Sequence, residues 1–170
     1  MVKFYELEVK QLNILKRLQK ICIVILAALL LTACGEDPEL TQFQNSMDDF
    51  CTKISEIDSG INNIDAQSEN AVAELLTYLD DLDIVFRAFA RLDFPEEFDY
   101  LEPLADESSQ YMSEAVANYH EAYDNHSYQE STAEYARQNY SRAYKRVQII
   151  ITFLHGETPD DADLTIEYNN

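Results

Sequence analysis

Four stretches of this chain space their apolar and small residues alternately three and four apart, and that spacing constrains the fold more than any other feature. The first runs Leu40, Phe43, Met47, Phe50, Ile54, Ile57, Ile61 and Ile64; the second runs Val72, Leu75, Leu79, Leu82, Phe86 and Phe89. The third runs Phe98, Leu101, Ala105, Ser108, Met112, Ala115, Tyr119 and Ala122, and the fourth Ala133, Ala136, Tyr140, Ala143, Val147, Ile150 and Leu154. Such spacing puts one stripe of side chains along one face of an α-helix. Each stripe must be buried against another element, and four in one chain can bury each other.

The boundary residues agree with four helices. Asp37 and Pro38 read as N-cap and first helical position of the first. Gly60 is a weak point at which that helix is expected to kink or end. Ser68 is placed to cap the second helix. Asp93-Phe94-Pro95-Glu96-Glu97 reads as a break and a restart, with proline and acids in a first turn. Ser127 and Glu130 have capping-box spacing before the fourth helix. Gly156 suits its C-terminal cap, with Pro159 beyond.

Short connections between long helices make sequential helices antiparallel neighbours. The expected fold is all-α, an antiparallel up-down-up-down four-helix bundle over residues 38–156. A three-helix core with one loose helix is the structural alternative. Helices three and four carry alanines and Ser108 on their stripes, so their backbones are expected to approach closely, with Tyr119 and Tyr140 filling the gaps. Gly35, Gly60 and Gly156 are the only glycines. So few leave little room for phosphate-cradling loops, nucleophile elbows or tight hairpins.

Ahead of the bundle, Lys16, Arg17 and Lys20 precede an apolar run from Ile21 to Ala33, which ends in Leu31-Thr32-Ala33-Cys34. Basic segment, short apolar segment and small-residue cleavage site follow in the order of a secretory signal. The run falls short of the roughly 20 apolar residues of a spanning helix. This segment resembles a bacterial lipoprotein signal, with Leu31-Thr32-Ala33-Cys34 as its lipobox. The resemblance covers the signal alone. It implies a diacylglycerol on the Cys34 thiol, cleavage before Cys34, added fatty acyl (palmitate-type) chains, and anchoring to the bacterial cell membrane on its outer side. Residues 1–33 then form the signal peptide and 34–37 a lipidated tether. Residues 157–170 form an acidic C-terminal tail. Residues 1–14 are too long and too acidic for a signal's basic segment, and read as an over-extended start with initiation near Leu15.

The formal net charge is −20. Residues 1–33 carry five basic and two acidic side chains, so residues 34–170 carry −23. That charge disfavours nucleic acid and anionic headgroups as partners and favours a cationic protein or ligand. Contact with the membrane is expected through the lipid on Cys34. With Cys22 removed and Cys34 lipidated, Cys51 is expected to be a buried, inert thiol.

Metal, haem and catalytic patterns are not visible. No histidine has a glutamate three residues before it, as di-iron bundles require. No Cys-x-x-Cys-His is present, and no Ser/His/Asp or Cys/His arrangement stands out. No cofactor, no metal and no enzyme activity are expected. Tyrosines are the richer signal. Tyr119 and Tyr140 hold stripe positions, whereas Tyr111, Tyr123, Tyr128, Tyr135 and Tyr144 lie beside or outside the stripes. Tyrosine gives rigid, amphipathic contact area, so these five form a candidate interaction face. Arg142, Lys145 and Arg146 read as structural, complementing the helix dipole and pairing with acids. Ile149, Ile150 and Phe153 cannot all lie on one stripe, so the tail or a partner is expected to cover what the bundle does not. The function expected is a non-catalytic, membrane-anchored acidic binding module. The alternatives are an immunity or exclusion lipoprotein neutralising a basic toxin or incoming element, and a ligand- or metal-binding sensor component.

Overall fold

A computed structural model describes residues 38–124 and 128–159. It is an all-α four-helix bundle, with no strand among the described residues. The helices are α1 (Pro38–Asn62), α2 (Ala71–Phe89), α3 (Glu102–Asp124) and α4 (Glu130–Leu154), and a 3-10 helix, Glu96–Leu101, precedes α3. At 1.5 Å per residue, α1 and α4 are each about 37 Å long with 25 residues apiece.

The first helix is described from Pro38, and Asp37, its expected N-cap, lies outside the described residues. It runs through Gly60 without ending there. The second helix begins at Ala71, after Asn70, which makes no side-chain cap. Ser68 acts one step earlier, its Oγ accepting the Asn70 N–H at 3.2 Å. The third stripe is not one α-helix. Pro103 has no N–H to give and its ring crowds the carbonyl four residues back. Phe98 and Leu101 therefore lie in the tighter 3-10 turn, and α3 begins at Glu102 with Pro103 in its first turn. The capping box is not formed: α4 starts at Glu130 itself, with Gln129 as N-cap. Its other member, Ser127, lies outside the described residues. The C-terminal end matches expectation. Gly156 has φ +71°; its N–H reaches the Phe153 carbonyl at 2.8 Å, and the Glu157 N–H reaches that of Thr152 at 3.1 Å. These are the paired bonds of a Schellman cap.

Two different kinds of packing hold the bundle. An aromatic cluster fills the end near Pro95. Phe50 stacks on Phe89 at 4.2 Å and meets Phe86 edge-on at 5.6 Å, while Phe43 lies 4.9 Å from Phe94. The α3–α4 seam is built from small residues instead. Ala105, Ser108, Ala115 and Ala122 are fully buried, as are Ala133, Ala136 and Ala143, and these two helices share the most extensive contact among the described elements. The Ser108 hydroxyl donates to the Ala105 carbonyl at 2.7 Å, so it leaves no polar atom stranded there.

Several positions depart from the stripes, and three of them show why. Val72, in the first turn of α2 at the rim of the bundle, is exposed. Tyr140 is only half-buried, and Tyr144, expected on the flank, is completely buried against Phe86 with ring centroids 5.3 Å apart. The reason is that α4 meets aromatic side chains from α2 as well as the alanine face of α3. Its buried arc is therefore wider than a heptad seam. Cys51 is half-buried and disulfide-bonded, not the buried thiol expected.

Candidate functional site

Cys34 lies outside the described residues. The five candidate tyrosines are described, and they do not form one face. Tyr144 belongs to the core. Its hydroxyl is buried without a hydrogen-bond partner. Burial raises its pKa well above the ordinary tyrosine value; nearby Tyr140 offsets part of this and the charge of Asp58 adds to it.

Tyr111 is half-buried on the α3–α4 seam and sits between two cations. The guanidinium carbons of Arg142 and Arg146 lie 5.8 and 5.7 Å from its ring centre, within cation–π range. Arg146 Nε donates to Glu107 at 2.5 Å, and Arg142 Nη1 to the Asn139 side-chain oxygen at 2.9 Å. These cations therefore brace α4 against α3, as a structural role predicts. The dipole part of that expectation fails, because no basic residue lies in the last turn of α4 and the effect fades beyond it.

Tyr123, Tyr128 and Tyr135 remain. Tyr123 and Tyr128 flank the α3–α4 turn with ring centres 5.4 Å apart. Tyr128 is 42% exposed and Tyr135, on α4, is 46% exposed. Beneath them lies a residue the sequence did not single out. Arg137 is buried to 6% exposure and donates to Glu134 Oε2 through Nε at 3.1 Å and Nη2 at 2.6 Å. It also pairs with the Tyr128 side chain. The hydrogen bonds from Arg137 hold the Glu134 carboxyl below its usual range. The signal available in sequence was Glu134 three residues before Arg137, which gives an i,i+3 pair; nothing local says that the arginine is buried.

The α2–α3 seam brings serine, histidine and carboxylates together, though not as a nucleophilic set. Ser113 donates to Asp83 at 2.5 Å, and Arg87 pairs with the same carboxylate at 2.8 Å. His120 Nε2 lies 2.8 Å from Asp80. Ser113 and His120 are separated by seven residues of helix, about 10 Å, so the imidazole does not reach the hydroxyl. Among the described residues no group of three or more His, Cys, Asp and Glu is placed to hold a metal ion. None of the described helices is long and apolar enough to cross a membrane. An open depression on the outer face of α1 is lined by Pro38, Thr41, Gln42, Asn45, Ser46 and Asp49. Its one titratable group, Asp49, is paired with Lys53.

No protein-family profile, curated protein or solved structure matches this chain. What the arrangement offers chemically is an acidic surface with exposed tyrosine rings near one turn.

Proposed function

We propose that the chain is a lipid-anchored protein of the bacterial envelope, facing outside the cytoplasm, whose acidic bundle binds a cationic protein without catalysis. The observation that carries this is the position of Leu31-Thr32-Ala33-Cys34 immediately ahead of α1. Four residues, 34–37, separate the lipidated end from a helix that starts at Pro38. The tether is too short to let the bundle wander, so α1 leads away from the membrane. The connection between α1 and α2 and the α3–α4 turn then lie far from the bilayer, and the Pro95 end lies near it. Tyr123 and Tyr128 flank the far turn, with Tyr135 one to two turns into α4.

The charge of −23 on residues 34–170 supports a cationic partner, through steering and cation–tyrosine contact. A basic toxin met outside the cell is the partner class that joins this charge to this location, which makes immunity or exclusion the second reading. The test has two parts. Cys34→Ser should abolish fatty-acid labelling and release the protein from membranes, since two or more chains are needed for stable anchoring. Capture from envelope extracts with the wild-type chain, compared with Tyr128→Ala and Tyr135→Ala, should yield a basic protein whose retention falls at high salt. Membrane retention of the unlabelled Cys34→Ser protein without detergent rejects the anchor. Equal capture by the tyrosine variants rejects the turn as the binding surface.

A further inference from the structure

Tyr100 is 55% exposed in the 3-10 turn that leads into α3, and its ring meets Phe153 of α4 edge-on at 5.9 Å. Phe153 itself is half-buried. The bundle thus presents one aromatic ring to its surroundings with a second ring behind it. A tyrosine held this way has an apolar body and a polar tip, the shape that suits the headgroup level of a bilayer. Contacts with α1 locate it in the fold. Phe43 lies 4.9 Å from Phe94 and 6.4 Å from Phe98, and five residues of helix, about 7.5 Å, separate Phe43 from Pro38. Tyr100 follows Phe98 by two residues, so it stands at the end of the bundle where α1 begins.

We propose that Tyr100, backed by Phe153, seats the bundle on the headgroup layer of the bilayer that holds the lipid on Cys34. This rests on the anchor argued above. Four residues of extended chain, 34–37, span at most about 13 Å, so the start of α1 stays within that distance of the headgroups. Tyr100 shares that end of the bundle. Tyr135 does not, because eighteen residues of α4, about 27 Å, separate it from Phe153. The exposed tyrosines therefore divide into one at the bilayer and others facing away from it.

The charge around the seat selects the headgroup. Residues 91–102 carry five acids and one arginine, and Glu96, Glu97, Asp99 and Glu102 are exposed. A phosphatidylglycerol surface is negative and repels them. Phosphatidylethanolamine places an ammonium group at its outer edge, which donates charge-assisted hydrogen bonds to carboxylates. The surface therefore fits a zwitterionic, amine-bearing bilayer. Even a single acyl chain binds a membrane only marginally, and one ring buries less than that. The seat orients the bundle while the lipid retains it.

The chain has no tryptophan, so Tyr100→Trp introduces a single fluorophore and keeps a ring against Phe153. The lipidated protein is placed in vesicles of phosphatidylethanolamine and phosphatidylcholine with bromine on part of the acyl chains, close to the headgroups. Flotation with the vesicles is read on the same samples. With the indole at headgroup depth, brominated lipid should lower its emission about twofold, and the emission of a Tyr135→Trp chain should not change. Exchanging phosphatidylethanolamine for phosphatidylglycerol should weaken the quenching at position 100 and leave flotation as it was. A protein that floats but is not quenched at position 100 overturns the seat and leaves the anchor standing. A protein that carries no lipid and does not float overturns both. An indole shielded from acrylamide yet untouched by brominated lipid assigns the ring to a protein neighbour, a second copy included, and overturns the seat. Quenching that grows on phosphatidylglycerol overturns the choice of headgroup.

Discussion

Gly60 and Tyr78 face each other across the α1–α2 interface so closely that a methyl group does not fit between them. A Cβ on Gly60 would collide with the Tyr78 ring carbons Cε1 and Cζ. The glycine is thus a contact surface for a ring, and α1 continues past it to Asn62. Replacing Gly60 with alanine pulls in two directions. Helix propensity favours alanine by about 1 kcal/mol, while forcing the half-buried ring aside costs on the order of 1–3 kcal/mol. Gly60→Ala should therefore destabilise the bundle by up to about 2 kcal/mol in urea melts. In a Tyr78→Ala background the sign should reverse to a gain of about 0.5–1 kcal/mol. Stabilisation by Gly60→Ala in the wild-type background would show that the ring contact is worth little.

Tyr144 gives the opposite kind of prediction. Its ring is core material, but its hydroxyl has no partner. Tyr144→Phe keeps the ring and removes the stranded polar atom, so it should be neutral or stabilising by about 1 kcal/mol. Tyr144→Ala removes the ring as well and should cost about 3–5 kcal/mol. A loss of more than about 1.5 kcal/mol in Tyr144→Phe would mean that the hydroxyl makes a hydrogen bond in solution, to a buried water above all.

The alanine seam is tested by volume. Ala136 and Ala115 are fully buried on the facing stripes of α4 and α3. Ala136→Leu should cost on the order of 1–3 kcal/mol or more by forcing the two helices apart. Ala88→Leu, on the exposed face of α2, should stay within about 0.5 kcal/mol. Equal thermal midpoints for the two variants would show that α3 and α4 separate without strain.

What the sequence made legible follows from the range of each interaction. The stripes, the close α3–α4 approach and the Gly156 cap depend on periodicity, residue size and a local backbone angle, all of which are written within a few turns of chain. Pro103 was equally local, and its effect on Phe98 and Leu101 was there to be read. Gly60 was not, because its purpose is Tyr78, eighteen positions away. Tyr140 and Tyr144 exchange roles because α4 touches side chains from both α2 and α3, and a single helix's period does not report how many neighbours it will have. The tyrosine face failed for the same reason: side chains near one another in sequence were sorted by the bundle into core, cation clamp and surface.

Arg137 and Glu134 make stability depend on acid. Glu134 has its pKa lowered in the folded state, chiefly by hydrogen bonds from Arg137. A carboxylate held below its unfolded value stabilises the fold above that value and loses the contribution as pH falls through the lowered one. The contribution is therefore full at neutral pH and fades below about pH 4.5, the ordinary glutamate value. Glu134 is half exposed, so solvent keeps the effect small. Glu134→Gln should lower the midpoint of urea unfolding at pH 7 and converge with wild type near pH 3. A constant difference across that range would assign the loss to packing rather than charge.

Cys34 cannot serve two chemistries, and that makes the anchor testable through a different residue. Cys51 is disulfide-bonded, and the sequence holds two further cysteines, Cys22 and Cys34. Under the proposed anchoring, cleavage before Cys34 would remove Cys22, and a thioether to diacylglycerol would consume the Cys34 sulfur. A mature lipid-anchored protein therefore carries Cys51 as a thiol with no cysteine of its own chain to join. Protein extracted from membranes, alkylated without reduction and digested, should give the Cys51 peptide fully alkylated. The Cys34→Ser chain, which keeps residues 1–33 when the signal is not cut, retains Cys22 as the one available partner. Its Cys51 peptide should resist alkylation until reduced if Cys22 is the residue to which it is bonded, and label at once if the bond was to Cys34. A wild-type Cys51 found in disulfide linkage to Cys34 would leave no sulfur for lipid and would reject the anchor outright.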